Sequence, residues 1–275
     1  MRHSGVITLT TDFGTSDSYV GAMKGVILNL APAARLIDIT HEISPQNVHQ
    51  AAYIVQTFYH YFPPGTIHLV IVDPGVGSAR RAIALGTPSS IFVAPDNGVL
   101  TYAWRDAHER WGADSCVAYE LAESRFWLNE VSHTFHGRDI FAPVVGHLAA
   151  GVPLDALGPR LPGITAAELE QPVAGRNGGL VGRIIHVDHF GNCITNITSQ
   201  QLEAAGLGQR LVVHIIDQQI AGLQRTFNDV PVGALMALLG SSNRLELAVR
   251  NGSAAQTLGV GLGDTVRVYA LGATV

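Results

Sequence analysis

The chain has 275 residues, 47% of them hydrophobic, enough to bury one large core or two modest ones. Charged residues make up only 14% and the net charge is −5 with histidine neutral, so there is no basic field to hold a nucleic-acid backbone. Val6–Leu9 is too short for a signal-peptide core and no run reaches the roughly 18 apolar residues of a membrane helix; with two isolated cysteines, Cys116 and Cys193, this fits a cytoplasmic, reducing compartment.

The first 150 residues alternate short β-branched runs with longer periodic segments, which predicts strands separated by helices. Val6–Leu9, Leu36–Ile39, Ile67–Val72, Ile83–Leu85 and Ile91–Val93 are predicted strands, and the unbroken apolar pattern of Ile67–Val72 predicts burial on both faces. Ser18–Leu30, Asn47–Phe62, Asn97–Trp104 and Arg138–Ala150 are predicted helices. The fold class expected of this half is an α/β sandwich.

Past residue 160 the texture changes. Pro159, Pro162 and Gly175–Gly179 punctuate a region without helical periodicity, and residues 166–180 are expected to link an N-terminal domain, 1–165, to a C-terminal domain, 181–275. In the latter, Ile184–Val187, Leu211–Ile216, Leu245–Val249 and Thr265–Tyr269 are short apolar runs separated by glycines, the pattern of a small all-β, barrel-like domain.

Polar clusters follow several predicted strands. In Thr10-Thr11-Asp12-Phe13-Gly14, Asp12 has two carboxylate oxygens suited to a ribose cis-diol, or it caps the following helix or turn. In Val72-Asp73-Pro74-Gly75-Val76-Gly77-Ser78-Ala79-Arg80-Arg81, the proline and glycines permit a sharp turn, across which Asp73 and Arg80 can pair, either as a site or as a structural salt bridge. Gly75 and Gly77 form only a lone Gly-x-Gly, weak grounds for a phosphate cradle. In Ser132–Asp139, His136 beside Gly137 combines an imidazole that titrates near neutrality with room for a substrate. His133 is read as structural, and Arg138 and Asp139 as supports of the helix start.

The second half carries Asp188-His189-Phe190-Gly191-Asn192, Thr195-Asn196, Gly240-Ser241-Ser242-Asn243 and Arg250-Asn251-Gly252. A carboxylate suits an ammonium, a serine with backbone amides suits a carboxylate, and Phe190 suits stacking on a base; each fragment is also ordinary turn chemistry. His133/His136 and His186/His189 have His-x-x-His spacing but no helix with a following glutamate, so no metal is expected. Gly240-Ser241-Ser242 is not a nucleophile elbow.

Read in order, TTDFG (10–14), VDPGVGS with Arg80-Arg81, APDNG (94–98), TFHGRDIFAP (134–143) and DHFGN with Thr195-Asn196 resemble the S-adenosylmethionine hydroxide adenosyltransferase family, related to the fluorinase and chlorinase. The resemblance spans nearly the whole chain. It implies an N-terminal α/β domain, a C-terminal β-barrel-like domain, and a homotrimer holding substrate between neighbouring subunits. It also implies a catalytic triad of Asp73, Arg80 and His136, with Asp12 on the ribose. Asp188 and Ser242 match the partners of the methionine ammonium and carboxylate, and Phe190, Asn192, Arg250 and Gly252 the adenine side. In the halogenases a tyrosine stands at the position of Asp73, and the fluorinase has a serine at that of Gly137.

An aspartate there repels halide and favours water. The expected reaction is therefore hydrolysis of S-adenosyl-L-methionine at ribose C5′, giving adenosine and methionine, with no cofactor. The rivals are a halogenase, a non-catalytic S-adenosylmethionine or adenosine sensor, and a purely structural oligomer.

Overall fold

The structure, a computed structural model, describes residues 4–168, 171–175, 178–208 and 210–272. It divides into two compact units, Met1–Glu168 and Leu169–Val275. Residues 169, 170, 176 and 177 of the expected linker lie outside the described residues.

Unit one contains β1 (Val6–Thr11), α1 (Tyr19–Leu30), β2 (Arg35–Thr40), α2 (Val48–Phe58), β3 (Thr66–Ile71), β4 (Ala82–Gly86), β5 (Ser90–Pro95), α3 (Thr101–Trp111), β6 (Val117–Glu120), α4 (Ala142–Ala149) and β7 (Arg160–Leu161). They build an α/β sandwich around one sheet of order β2-β1-β3-β5-β4-β6-β7, parallel from β2 to β5 and antiparallel beyond. Side-chain alternation along the strands divides the core in two. Ile7, Leu9, Ile67, Leu69, Ile71 and Val93 pack with Met23, Ile27, Phe141 and Val145 on one face; Val70, Val72, Phe92 and Ala94 pack with Ala51, Val55 and Ala103 on the other.

The chain leaves β1 for β2 on one side and then returns to β3 on the other side of β1. The carboxyl ends of β1 and β3 thus flank a topological switch point, where crossovers diverge and leave a crevice. Their register pairs Thr11 with Ile71, so Asp12 and Asp73 both leave the sheet at this end.

Unit two contains β8 (Val173–Ala174), β9 (Leu180–Val187), β10 (Cys193–Thr198), α5 (Ser199–Ala204), β11 (Leu211–Ile215), β12 (Gln218–Ala221), β13 (Leu235–Leu239), β14 (Arg244–Val249), α6 (Ala254–Leu258) and β15 (Thr265–Ala270). Every strand pairing is antiparallel, in the order β12-β11-β15-β9-β10-β14-β13 with β8 on β9. An isolated bridge from Gln224 to Leu238 brings the segment after β12 onto β13, nearly closing the sheet as a barrel. Its interior holds Ile184, Cys193, Leu211, Val213, Leu245, Leu247, Val266 and Val268.

Several element boundaries differ from those expected. The helix foreseen at Asn97–Trp104 is α3, which begins at Thr101 because Asn97 and Gly98 turn the chain: Asn97 Oδ1 accepts from Val99 N, and Gly98 has φ +99°. The helix foreseen at 47–62 ends at Phe58 and tightens into a 3₁₀ turn, Tyr59–Tyr61. The helix foreseen at Arg138–Ala150 is two segments, a π-helical turn over Gly137–Phe141 followed by α4. Such turns concentrate at functional sites. No helix among the described residues is long and apolar enough to cross a membrane.

Candidate active site

The Asp73 loop folds back on itself through Val76 N to Asp73 O and Ser78 N to Gly75 O, and the Ser78 hydroxyl also donates to Gly75 O. Asn97 Nδ2 supports its root by donating to Val72 O at 2.8 Å. Arg80 Nε donates to both Asp73 oxygens, at 2.8 and 3.0 Å, and its Nη2 makes a further short bond to Oδ2. The same Nη2 lies 3.0 Å from His136 Nδ1. Asp73, Arg80 and His136 are thus one continuous chain, with the guanidinium in the middle and its carbon 5.2 Å from the centre of the Phe141 ring.

Gly77 explains how the two loops meet. It has φ +77°, and a Cβ there falls 2.6 Å from the His133 carbonyl oxygen. Only glycine fits both the left-handed backbone and this approach. His133 therefore serves through its backbone. Asp139, fully buried, accepts from Ser132 N and from Arg138 Nε and Nη2, which pins both ends of the segment that presents His136.

A guanidinium has no acceptor, so Nδ1 must accept from Arg80, and the neutral imidazole carries its hydrogen on Nε2. Burial, and next the positive charge of Arg80, hold His136 below the usual histidine pKa of 6.5, against the opposing pull of Asp73 and Asp139. The neutral ring presents Nε2–H as a donor. The Gly137 backbone leaves space toward Phe135, Met23 and Phe13, where a Cβ meets ring or sulfur atoms at 3.2–3.5 Å.

Asp12 does not cap α1, whose N-cap is Ser18. Its Oδ2 accepts from Gln46 N at 2.8 Å, and Gln46 is a non-glycine residue at φ +66°, a costly conformation of the kind found at ligand sites. Gln46 carries no sequence signal beyond its place between Pro45 and the α2 cap Asn47. The APDNG segment is a brace: Asp96 is buried, paired with Arg81 at 2.5 Å, and accepts from Thr165 N at 2.6 Å.

In unit two, Asp188 closes the β9–β10 turn. Its Oδ1 accepts from Phe190 N and Asn192 N, and its Oδ2 from Asn192 Nδ2. Gly191, at φ +83°, packs this turn against Ser253, and its carbonyl accepts from Ala255 N of α6. The result is a pocket of about 480 Å³ lined by Phe190, Asn192, Phe227, Val249, Asn251 and Gly252, a size typical of small-molecule sites. Phe190 is 73% exposed and Phe227 43%, so two aromatic rings stand open at its rim.

Arg250 lies beside this pocket, with Nη1 donating to Val230 O at 2.8 Å. Ser242 is in the β13–β14 turn, closed by Asn243 N to Gly240 O. Thr195 and Asn196 stitch strands: Thr195 Oγ1 donates to Leu245 O and Asn196 Oδ1 accepts from Arg183 N. Phe227 and Val249 line the pocket without a polar cluster to mark them, and Asn251 of the Arg250-Asn251-Gly252 cluster lines it as well. Phe227 sits in a 3₁₀ turn, Phe227–Asp229, with no patterned neighbours to mark it. Among the described residues no three His, Cys, Asp or Glu side chains converge as a metal site.

A parallel-sheet switch point carrying a linked Asp, Arg and His in one unit, and a barrel carrying an aromatic pocket in the other, define a two-domain α/β-plus-barrel protein. Comparison with known proteins places it more closely. The family model of the S-adenosylmethionine hydroxide adenosyltransferase N-terminal domain matches residues 7–158, and that of the C-terminal domain matches residues 182–267. The chain belongs to this family. It is 41% identical over 266 residues to the (R)-S-adenosyl-L-methionine hydrolase of Salinispora tropica, covering 96% of this chain and 97% of that one. A fluorinase of Nocardia brasiliensis is 29% identical, with 96% of each chain covered. The crystal structure of an uncharacterized conserved protein from Thermotoga maritima superposes with a TM-score of 0.86 at 37% identity, covering 95% of this chain and 99% of that one.

Proposed function

We propose that this protein hydrolyses S-adenosyl-L-methionine by attack of water at ribose C5′, giving adenosine and L-methionine. The observation that carries this reading is the Asp73–Arg80–His136 chain at the switch point, in a member of a family whose relative from Salinispora tropica is named an (R)-S-adenosyl-L-methionine hydrolase. An aspartate beside the nucleophile disfavours halide and accepts a proton from water.

The geometry suggests a division of labour that the sequence alone left open. Nε2–H of His136 donates to the water oxygen and fixes its position. Arg80 holds both neighbours and keeps Asp73 in place. The C5′–S bond breaks with its electron pair going to sulfur, so a sulfonium becomes a neutral thioether, and the C5′–O bond forms from the water lone pair. As it forms, the attacking water becomes strongly acidic and gives its proton to Asp73, so a weak base suffices. The proton then passes to solvent, and the products balance as adenosine, methionine and one proton. Alignment of water, C5′ and sulfur in a dry crevice provides the remaining acceleration.

Asp12 takes the ribose hydroxyls, Phe190, Asn192, Arg250 and Gly252 the adenine, and Asp188 and Ser242 the amino-acid end. The N-terminal domain, 1–165, thus acts on ribose and water, and the C-terminal domain, 181–275, on adenine and methionine, with 166–180 between them. The protein works as a cytoplasmic homotrimer, without metal or cofactor. Turnover in ¹⁸O-labelled water tests the reaction: label in the adenosine 5′-hydroxyl supports it, and release of adenine or S-adenosylhomocysteine overturns it. Sedimentation velocity tests the trimer, and exhaustive dialysis against a chelator, expected to leave turnover unchanged, tests the absence of metal.

A further inference from the structure

His41 is a buried, titratable side chain that takes no part in the mechanism; it is 4% exposed and follows directly on β2. Its ring lies between two contacts. Nδ1 is 2.9 Å from the hydroxyl of Thr11, the fully buried last residue of β1, and Nε2 stands 3.1 Å from Asp38 Oδ1, off the line of a full hydrogen bond. Asp38 in turn accepts from Lys24 Nζ of α1 at 2.5 Å. A row Lys24–Asp38–His41–Thr11 therefore runs from the surface of unit one to the residue that precedes Asp12.

The same residue joins the two segments that frame Asp12. Its carbonyl accepts from Gly14 N at 2.7 Å, Ile43 N donates to Thr11 O at 3.4 Å, and the loop then delivers Gln46 N to Asp12 Oδ2. Asp12 Oδ1 makes no hydrogen bond among the described residues, so one oxygen is held and the other is open. Burial raises the Asp38 carboxyl, but Lys24 and His41 outweigh it and hold the group below its usual range. An ionised Asp38 favours the ring hydrogen on Nε2, which leaves Nδ1 to accept the Thr11 O–H and frees the Thr11 oxygen to accept from Phe13 N at 3.3 Å. Both chain neighbours of Asp12 are thus tied to one imidazole.

We propose that His41 is a positioning residue for ribose recognition, holding Thr11 and Phe13 so that the open oxygen of Asp12 faces the ribose hydroxyls. This rests on the reading of Asp12 as the ribose partner in an S-adenosyl-L-methionine hydrolase. A carboxylate on a turn can swing, and its hydrogen bonds to a diol weaken steeply once distance or angle is lost. A layer of hydrogen bonds behind the contacting group is what keeps such a contact aligned. Burying an imidazole and a hydroxyl is less favourable than burying apolar side chains of the same size, and what the polar pair adds is direction.

The test measures binding of adenosine and of 2′,3′-dideoxyadenosine, which lacks both ribose hydroxyls, by calorimetry on the full-length wild type, Thr11→Val, His41→Leu and His41→Asn. Thr11→Val and His41→Leu are each expected to weaken adenosine about tenfold, the effect of losing a charge-assisted hydrogen bond, and to leave dideoxyadenosine within about twofold. The double variant should lose little more than either single one, since both break the same link. His41→Asn, whose side-chain oxygen can stand in for Nδ1, should recover most of the adenosine affinity. With S-adenosyl-L-methionine, KM should rise more than kcat falls. Thr11→Val keeps the side-chain volume, so the comparison stands even where His41→Leu does not fold. An equal loss for both ligands, or none, overturns the assignment. If the wild type prefers adenosine and the variants keep that preference, His41 alone is misassigned; if the wild type neither turns over S-adenosyl-L-methionine nor binds either ligand, the functional reading fails as well.

Discussion

Replacing Arg80 by methionine separates a catalytic from a purely structural role for the ion pair. The Asp73 and Arg80 side chains are only 6% and 11% exposed, so solvent screens their interaction little. Methionine keeps the volume over Phe141 but removes every N–H reaching Asp73 and His136. Breaking a buried pair from one side leaves an uncompensated charge and costs about 3–5 kcal/mol. For a domain of this size that lowers Tm by roughly 6–20 °C. The double variant Asp73→Asn, Arg80→Met removes the orphaned charge and should recover about half or more of that loss. Urea unfolding followed by tryptophan fluorescence, with adenosine release measured on the same preparations, gives both readouts. Both variants should have lost turnover by at least about a hundredfold, the usual contribution of positioned acid–base groups. A loss of under about 1 kcal/mol for Arg80→Met refutes the buried pair, since exposed pairs contribute no more than that. A stable double variant with wild-type turnover leaves the pair a brace and removes it from the mechanism.

Four further outcomes follow from the geometry. Gly77→Ala forces a side chain into left-handed backbone and against the His133 carbonyl, so it should destabilise by at least about 2 kcal/mol and reduce kcat further than the loss of folded protein explains. His136 should titrate below 6.5 in the NMR signal of its ring, and kcat should fall as the pH drops through that lowered midpoint, because protonated Nδ1 can no longer accept from Arg80; titration above 6.5 contradicts the assigned tautomer. His68 is fully buried, bonded to Thr8 through Nδ1 at 2.8 Å, and burial lowers its pKa to about 3. Protonation therefore favours the unfolded chain, whose histidine titrates near 6.5, and stability falls with pH from there toward 3. Between pH 8 and pH 5 this amounts to about 2 kcal/mol, which His68→Phe should abolish in the difference of denaturation midpoints; an unchanged pH slope refutes it. Phe227→Ala should raise KM several-fold with little change in kcat or Tm, as expected of an open rim aromatic.

The two texture types of the chain were legible because burial leaves a periodic trace. The unbroken run at 67–72 is a strand buried along its whole length, and the glycine-separated runs of the second half are barrel strands. Strands such as Val117–Glu120 and Leu235–Leu239 escaped notice, being short and weakly alternating, so that pairing partners far along the chain decide them. The π-helical turn was likewise invisible, since its residues carry the same periodicity as the helix that continues it.

Sequence by itself determined the residue types available for chemistry and, through ordered motifs, the family. It named Asp73, Arg80 and His136, whose side chains are polar groups placed after apolar runs. It could not say how they connect. That Arg80 lies between the other two, that Gln46 reaches Asp12, and that Phe227 lines the same pocket as Phe190 are decided only when strands distant in sequence come into register. The physical reason is that hydrophobic periodicity records which face of each element is buried, whereas hydrogen-bond direction, tautomer and pocket shape depend on distances of a few tenths of an ångström between segments whose local patterns do not refer to one another.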